Sequence, residues 1–157
     1  MPGVSVASPG PPKAPVAPPS PEGQPGRGLP VGMRVLIVED EWLVSLEIEA
    51  VLDEAGYETV GVAISADEAL ALAEQHRPDF VLMDIRLSGP RDGVDAALAM
   101  GTRLGLRCLF ISANNDRGIR VRAAPCQPLG WLAKPFSGEQ LLAAMDAAAQ
   151  QVRQAKP

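Results

Sequence analysis

The chain is poor in the side chains that build transition-metal and redox centres: one histidine and two cysteines. Cys108 and Cys126 form no CxxC pair and stand at no metal-like spacing, so they read as free thiols in a reducing compartment. His76 falls near the end of a predicted helix, away from the strand ends, and reads as a solvated helix-terminal residue rather than a phosphohistidine. Aromatic residues make up only 4% of the chain, so any core must rest on Leu, Val, Ile and Ala. No apolar run reaches the roughly 18 residues that a membrane helix needs. The N-terminus has neither the charged start nor the apolar stretch of a signal peptide. A cytoplasmic protein with no membrane contact is therefore expected. Basic residues are outnumbered, 14 against 19, for a net charge of −5. That balance, and the absence of a helix-turn-helix pattern, argue against a nucleic-acid partner.

What is present suits one folded domain: 157 residues, 46% hydrophobic and 21% charged. Residues 1–32 stand apart, holding ten of the 16 prolines and six of the 15 glycines with almost no large apolar side chains. Such a segment buries too little surface to offset its ordering entropy and is expected to be a disordered or polyproline-like tail. Met33 opens the first strand directly after it, which raises Met33 as the true start of the protein.

From Met33 onward strand and helix patterns alternate. Short apolar runs mark strands at Val35–Val38, Thr59–Ala63, Phe80–Asp84, Cys108–Ile111 (ending at Ser112) and Leu129–Ala133. A first helix is expected over Trp42–Ala55, with Val44, Ile48, Val51, Leu52 and Ala55 on one face and Gly56 as its C′ residue. Ser65–Glu68 reads as a capping box opening a helix to His76, and Ser137–Gln140 as another. A third helix spans about Val94–Arg103. The last carries Leu141, Met145, Ala148, Ala149 and Val152 on one face. Pro125 and Pro128 cut short any helix between strands four and five. Five strands alternating with helices predict an α/β fold: a doubly wound five-stranded parallel sheet with helices on both faces, over residues 33–154.

The chemistry collects where the strands end. Strand one ends in Glu39 and Asp40, strand three in Asp84, strand four in Ser112 and strand five in Lys134. Open α/β sheets bind ligands beyond the carboxyl ends of their strands. Three carboxylates converging there repel one another unless a cation sits among them. Oxygen-only donors, few in number, suit Mg²⁺ that keeps several waters. With Lys134 and the Ser112 hydroxyl they suggest a site for a transferred phosphoryl group, Asp84 being the candidate nucleophile.

This pattern resembles the receiver domain of bacterial response regulators over about residues 33–154. The matching pieces are Glu39-Asp40, Asp84 in LMDIRL, the Asp92-Gly93 turn, Ser112 in FISA and Lys134-Pro135-Phe136. The resemblance implies a flavodoxin-like strand order 2-1-3-4-5 and Asp84 as phosphoacceptor. It implies Mg²⁺ on Glu39, Asp40, Asp84 and the backbone carbonyl of Arg86. It makes Ser112 the switch hydroxyl, Lys134 the phosphoryl partner and Trp131 the counterpart of a switch aromatic, with Lys134-Pro135 cis. Arg86 and Asn114 occupy positions that tune phosphoryl lifetime. The implied function is that of a stand-alone receiver, not an enzyme. It takes a phosphoryl group from a sensor histidine kinase or histidine phosphotransfer protein and switches a protein-interaction surface toward a downstream partner that the sequence does not identify. Dimerisation through the last strand and helix rests on analogy alone.

Other readings fit less well. A haloacid-dehalogenase-type phosphatase needs a second Asp two residues after the first, where this chain has Arg86. A nucleotide or flavin binder wants a glycine-rich loop after strand one, where Glu39-Asp40-Glu41 would repel phosphate. A degenerate receiver, a phosphorylation-independent interaction module, is the alternative that the intact constellation argues against. The segment Asn114–Pro128 departs most from the family: Gly118 and two prolines weaken its helix, and Arg117, Arg120 and Arg122 make it basic.

Overall fold

The computed structural model describes residues 32–113 and 116–155. The expectations for the proline-rich segment before Gly32, and for Asn114, lie outside these residues. Five parallel strands, β1 (Arg34–Val38), β2 (Glu58–Ala63), β3 (Phe80–Asp84), β4 (Cys108–Ser112) and β5 (Gly130–Ala133), form one sheet in the order β2-β1-β3-β4-β5. The helices are α1 (Trp42–Glu54), α2 (Ala66–His76), α3 (Gly93–Leu104), α4 (Arg117–Ala123) and α5 (Gly138–Ala155). A doubly wound sheet of flavodoxin-like order is thus what the alternation and the resemblance imply.

The apolar runs become inner strands because both their faces are covered. Alternate residues of β1, β3 and β4 point to opposite sides. Leu36, Val38, Val81, Met83, Cys108 and Phe110 pack with α2 and α3. Val35, Ile37, Phe80, Leu82, Leu109 and Ile111 pack with α1 and α5. Each fully buried Leu, Ile or Phe contributes about 1.5–3 kcal/mol. The edge strands β2 and β5 are only half-buried over most of their length. On α5 the five residues expected on one face, Leu141, Met145, Ala148, Ala149 and Val152, are all buried. Among the described residues no helix is long and apolar enough to cross a membrane.

Helix ends follow local chemistry, with some departures. Gly56 takes φ 98° just after α1. Ser65 caps α2, accepting from the Glu68 N–H, but the Glu68 carboxylate reaches back to Ile64 N–H rather than closing the box on Ser65. The Ser137–Gln140 box closes in both directions. Asp92-Gly93, read as a turn, is instead the start of α3: Asp92 is its N-cap in a reciprocal box with Asp95, and Gly93 its first residue. Pro125 does cut α4 short. Seven residues capped by Asp116 pass into a 3₁₀ turn, Ala124–Cys126. His76 closes α2, and its carbonyl accepts from Arg34.

Register positions the site. Val38 pairs with Met83, Asp84 with Ile111 and Ser112 with Ala133, so the strands stop at one common rim. The next residues are still held there: Glu39 N–H donates to Ala63 O, and Lys134 N–H to Ser112 O.

Candidate functional site

Glu39 leaves β1 with its side chain 0% exposed, while the next residue, Asp40, is exposed. Asp84 closes β3 at 4% exposure. One carboxylate oxygen from each of Glu39, Asp40 and Asp84 lies within 4.8 Å of the others. Lys134, carried in just past β5 on a cis Lys134-Pro135 bond, places its ammonium 2.9 Å from Glu39 Oε1 and 3.3 Å from Asp84 Oδ2. Glu41, on the crevice mouth, is a further carboxylate 3.5 Å from the same ammonium.

Glu39 Oε2 accepts from the Glu41 N–H. Glu39 Oε1 is buried and close to Lys134, but it receives no directed hydrogen bond. A buried carboxylate oxygen with spare lone pairs, beside two more carboxylates and no nitrogen or sulfur donor, fits a hard divalent cation. The electrostatics agree. Burial pushes the Asp84 carboxyl up to about 7, the Glu39 charge adds to the rise, and Lys134 opposes both. Burial disfavours the Lys134 ammonium, yet the close approach of the Glu39 carboxylate and the charge of Asp84 outweigh it and hold its pKa above the usual lysine value.

Ser112 is buried at the end of β4. Trp131 on β5 is half-buried, its ring stacked on Phe110 at 4.8 Å between centroids, with the Arg120 guanidinium 4.8 Å from the ring centre. The side chain of Arg86 is exposed, and the loop that carries it is tied down on both sides. Ser88 bridges Ser65 and reaches Asp40 Oδ2 at 3.5 Å, and Arg91 pairs with Asp67.

The structure therefore gathers Glu39, Asp40, Asp84 and Lys134 into one cluster. It places Ser112 at the same rim and sets Trp131 against α4. Sequence reading missed the capping role of Asp92 and Asp95, the steric role of Gly93, and Arg122, which pairs with both acids. The Asp-x-x-Asp spacing was a usable cap signal, whereas no local pattern links Arg122 to a residue 30 positions earlier.

The fold and rim define a flavodoxin-like α/β protein with an acidic crevice at its strand ends. The chain belongs to the response regulator receiver domain family, whose sequence model matches residues 35–146. It is 38% identical over 124 residues to the transcriptional regulatory protein PdtaR of Mycobacterium tuberculosis, across 79% of this chain and 60% of that protein. It is 33% identical over 114 residues to the phyllosphere-induced regulator PhyR of Methylorubrum extorquens, across 71% of this chain and 42% of PhyR. The chain thus spans less than two thirds of the length of either relative. The signal receiver domain of a modulated diguanylate cyclase from Desulfovibrio desulfuricans superposes with a TM-score of 0.71 at 33% identity, covering 78% of this chain and 98% of that one. Receiver domains are generally non-enzymatic phosphoacceptors that bind Mg²⁺ through acidic residues, and the Glu39–Asp40–Asp84 cluster is such a set.

Proposed function

We propose that this domain accepts a phosphoryl group on Asp84 from a phosphohistidine of a sensor histidine kinase or histidine phosphotransfer protein, and thereby switches a protein-interaction surface in cytoplasmic two-component signalling. The observation that carries this reading is the buried Asp84 carboxylate held 3.3 Å from Lys134 inside the Glu39–Asp40–Asp84 cluster. Glu39, Asp40, Asp84 and the Arg86 carbonyl are the groups that would hold Mg²⁺, which when bound offsets charge on the carboxylates and on the phosphoryl oxygens.

In this reading an Asp84 oxygen attacks phosphorus. The new O–P bond forms as the N–P bond to the donor imidazole breaks, and the nitrogen keeps the electron pair. Asp84 must be ionised to attack, and Lys134 favours that form. Lys134 then pairs with a phosphoryl oxygen and Ser112 donates its hydroxyl to another. Ser112 and Trp131 relay the change toward β4 and β5. Loss of the phosphoryl group to water would use the same residues.

Intact mass after incubation with a small-molecule phosphodonor and Mg²⁺ tests the reading. The wild type should gain one phosphoryl group, and Asp84→Asn none. No gain in a wild type shown to bind Mg²⁺ would point to a phosphorylation-independent module, and a gain that survives in Asp84→Asn would mean another nucleophile.

Trp42 is 71% exposed at the start of α1, with Leu43 and Leu46 also exposed on that helix and the acidic pair just before it. An exposed indole beside the crevice suits docking of the donor protein. In Trp42→Ala the ratio of the protein-donor rate to the small-molecule-donor rate should fall by about tenfold or more, the size expected of an aromatic hot spot. An unchanged ratio would remove Trp42 from the docking surface.

A further inference from the structure

α4 has little of its own to hold it in place. It is seven residues long, too short to be a stable helix alone. Ala123 is its one buried side chain, and Val121 is 65% exposed. Besides Ala123 and the half-buried Ile119, which pack on the core, two arginines two residues apart tie it to the rest of the fold. Arg122 forks onto Asp92, with Nη1 3.0 Å from Oδ2 and Nη2 2.7 Å from Oδ1, and Nη2 also donates to Asp95 Oδ1 at 3.2 Å. One guanidinium thus grips both acids of the α3 capping box. Arg120 lies over Trp131.

The capping box has no slack relative to Asp84. Gly93, the residue after the cap, donates its N–H to Ile85 O at 2.7 Å. Its Cα is packed so closely that a Cβ would fall 2.9 Å from the Asp84 carbonyl carbon and from Ile85 Cα. A displacement of the Asp84 backbone is therefore passed to Asp92, and from Asp92 to Arg122. Under Arg120, in the middle of α4, Trp131 stands three residues before Lys134, whose ammonium lies 3.3 Å from Asp84. The contacts form a loop that leaves the crevice through the main chain and returns through β5.

We propose that Arg122 is a positioning residue that couples the Asp84 site to α4. The state of Asp84 and the placement of α4 then share one equilibrium. The coupling is reciprocal: a partner that draws α4 away alters phosphoryl occupancy of Asp84, just as phosphorylation alters α4. This inference rests on the phosphoacceptor role of Asp84. It adds a main-chain and arginine route to the hydroxyl-and-aromatic relay, and it assigns work to the segment whose sequence departs most from the family. An ion pair this exposed contributes little to stability, so its value lies in the forked geometry rather than in holding the fold together.

The chain has two tryptophans, so Trp42→Phe leaves Trp131 as the sole tryptophan, excited apart from Tyr57 at the red edge of its absorption. In that parent, acetyl phosphate with Mg²⁺ should change Trp131 emission, with intact mass counting the phosphoryl groups. Adding Arg122→Ala should reduce the emission change per phosphoryl group by about fivefold or more, the lower range for coupled sites. Arg122→Lys should give a smaller reduction, since a point charge cannot make the fork. It also carries the test if the alanine variant fails to fold by circular dichroism. A residue with a purely structural role would lower the melting temperature without changing the response per phosphoryl group. A full response in both Arg122 variants would overturn the inference, as would a parent that gains the phosphoryl group without any emission change. A parent that gains no phosphoryl group would overturn the phosphoacceptor reading itself and this inference with it, and the mass alone would show that.

Discussion

Gly93→Ala should cost about 3–5 kcal/mol of folding stability, read as a fall in the urea midpoint. The reason is space rather than backbone freedom. Gly93 opens α3 with its Cα against the end of β3. An added methyl would overlap the Asp84 carbonyl oxygen and stand 2.9 Å from the Asp84 carbonyl carbon and Ile85 Cα. These neighbours are backbone atoms of the central strand and cannot swing aside as a side-chain tip would. Either α3 lifts from the sheet, opening the core around Val94, Ala97 and Met100, or the Asp84 main chain moves and spoils the crevice. Phosphoryl uptake should therefore fall along with stability. Gly89, in the same loop, makes the contrast. It has φ 96° and nothing within 4 Å of its would-be Cβ, so Gly89→Ala should cost only the left-handed strain of about 1–2 kcal/mol. Equal midpoints for Gly93→Ala and wild type would mean that the start of α3 can shift freely.

The second large effect is a stabilisation. Asp84→Asn should raise the unfolding free energy by about 2–4 kcal/mol at pH 8 and by almost nothing at pH 4. In the fold, burial and Glu39 lift the Asp84 pKa from 3.8 to about 7. The native state therefore holds this proton to a higher pH than the unfolded chain does. Below about pH 4 both states are protonated and the carboxyl costs nothing. Between about pH 4 and 7 the unfolded chain releases the proton while the native state retains it, so stability drains away as pH rises. Above the folded pKa the native protein carries a buried carboxylate beside Glu39, a penalty that asparagine avoids. Lys134 still has Glu39 and Glu41 as partners in the variant. Urea titrations of both proteins at the two pH values give the difference directly. Mg²⁺ should close part of the gap at pH 8 by stabilising the wild type more than the variant. A difference independent of pH would mean that Asp84 is not strained by burial.

Both effects come from the same junction, which shows where the sequence was readable. The strands could be read because an apolar run bounded by turn residues is a local signal. β3 and β4 match it residue for residue, while β1, β2 and β5 each start one residue away from the expected boundary. The buried stripe of α5 was legible for the same reason: its five members recur with helical spacing, and burial follows that spacing. Glu39, Asp40, Asp84, Ser112 and Lys134 were legible as a set because each directly follows, or ends, a recognisable strand. Gly93 and Asp92 were legible only as a turn. Their steric and capping roles depend on how α3 meets β3, which no run of residues displays. Arg122 carried only its charge. Its partners were Asp92 and Asp95, fixed by the placement of α3 against α4.

From its sequence alone the protein was determined to be a parallel α/β fold with acids and one lysine at the carboxyl ends of its strands, because hydrophobic periodicity and strand-terminal position are properties of neighbours along the chain. The tertiary structure alone decided which of those groups touch: the Lys134 ammonium between Glu39 and Asp84, the Asp84 backbone locked against Gly93, and α4 hooked to the α3 cap and to Trp131. The Arg122 hydrogen bonds and the Lys134–Asp84 hydrogen bond among them join residues 27–50 positions apart. Their distances are set by register and by the packing of helices on the sheet, and the energetics of burial and charge follow from distances that the order of residues does not contain.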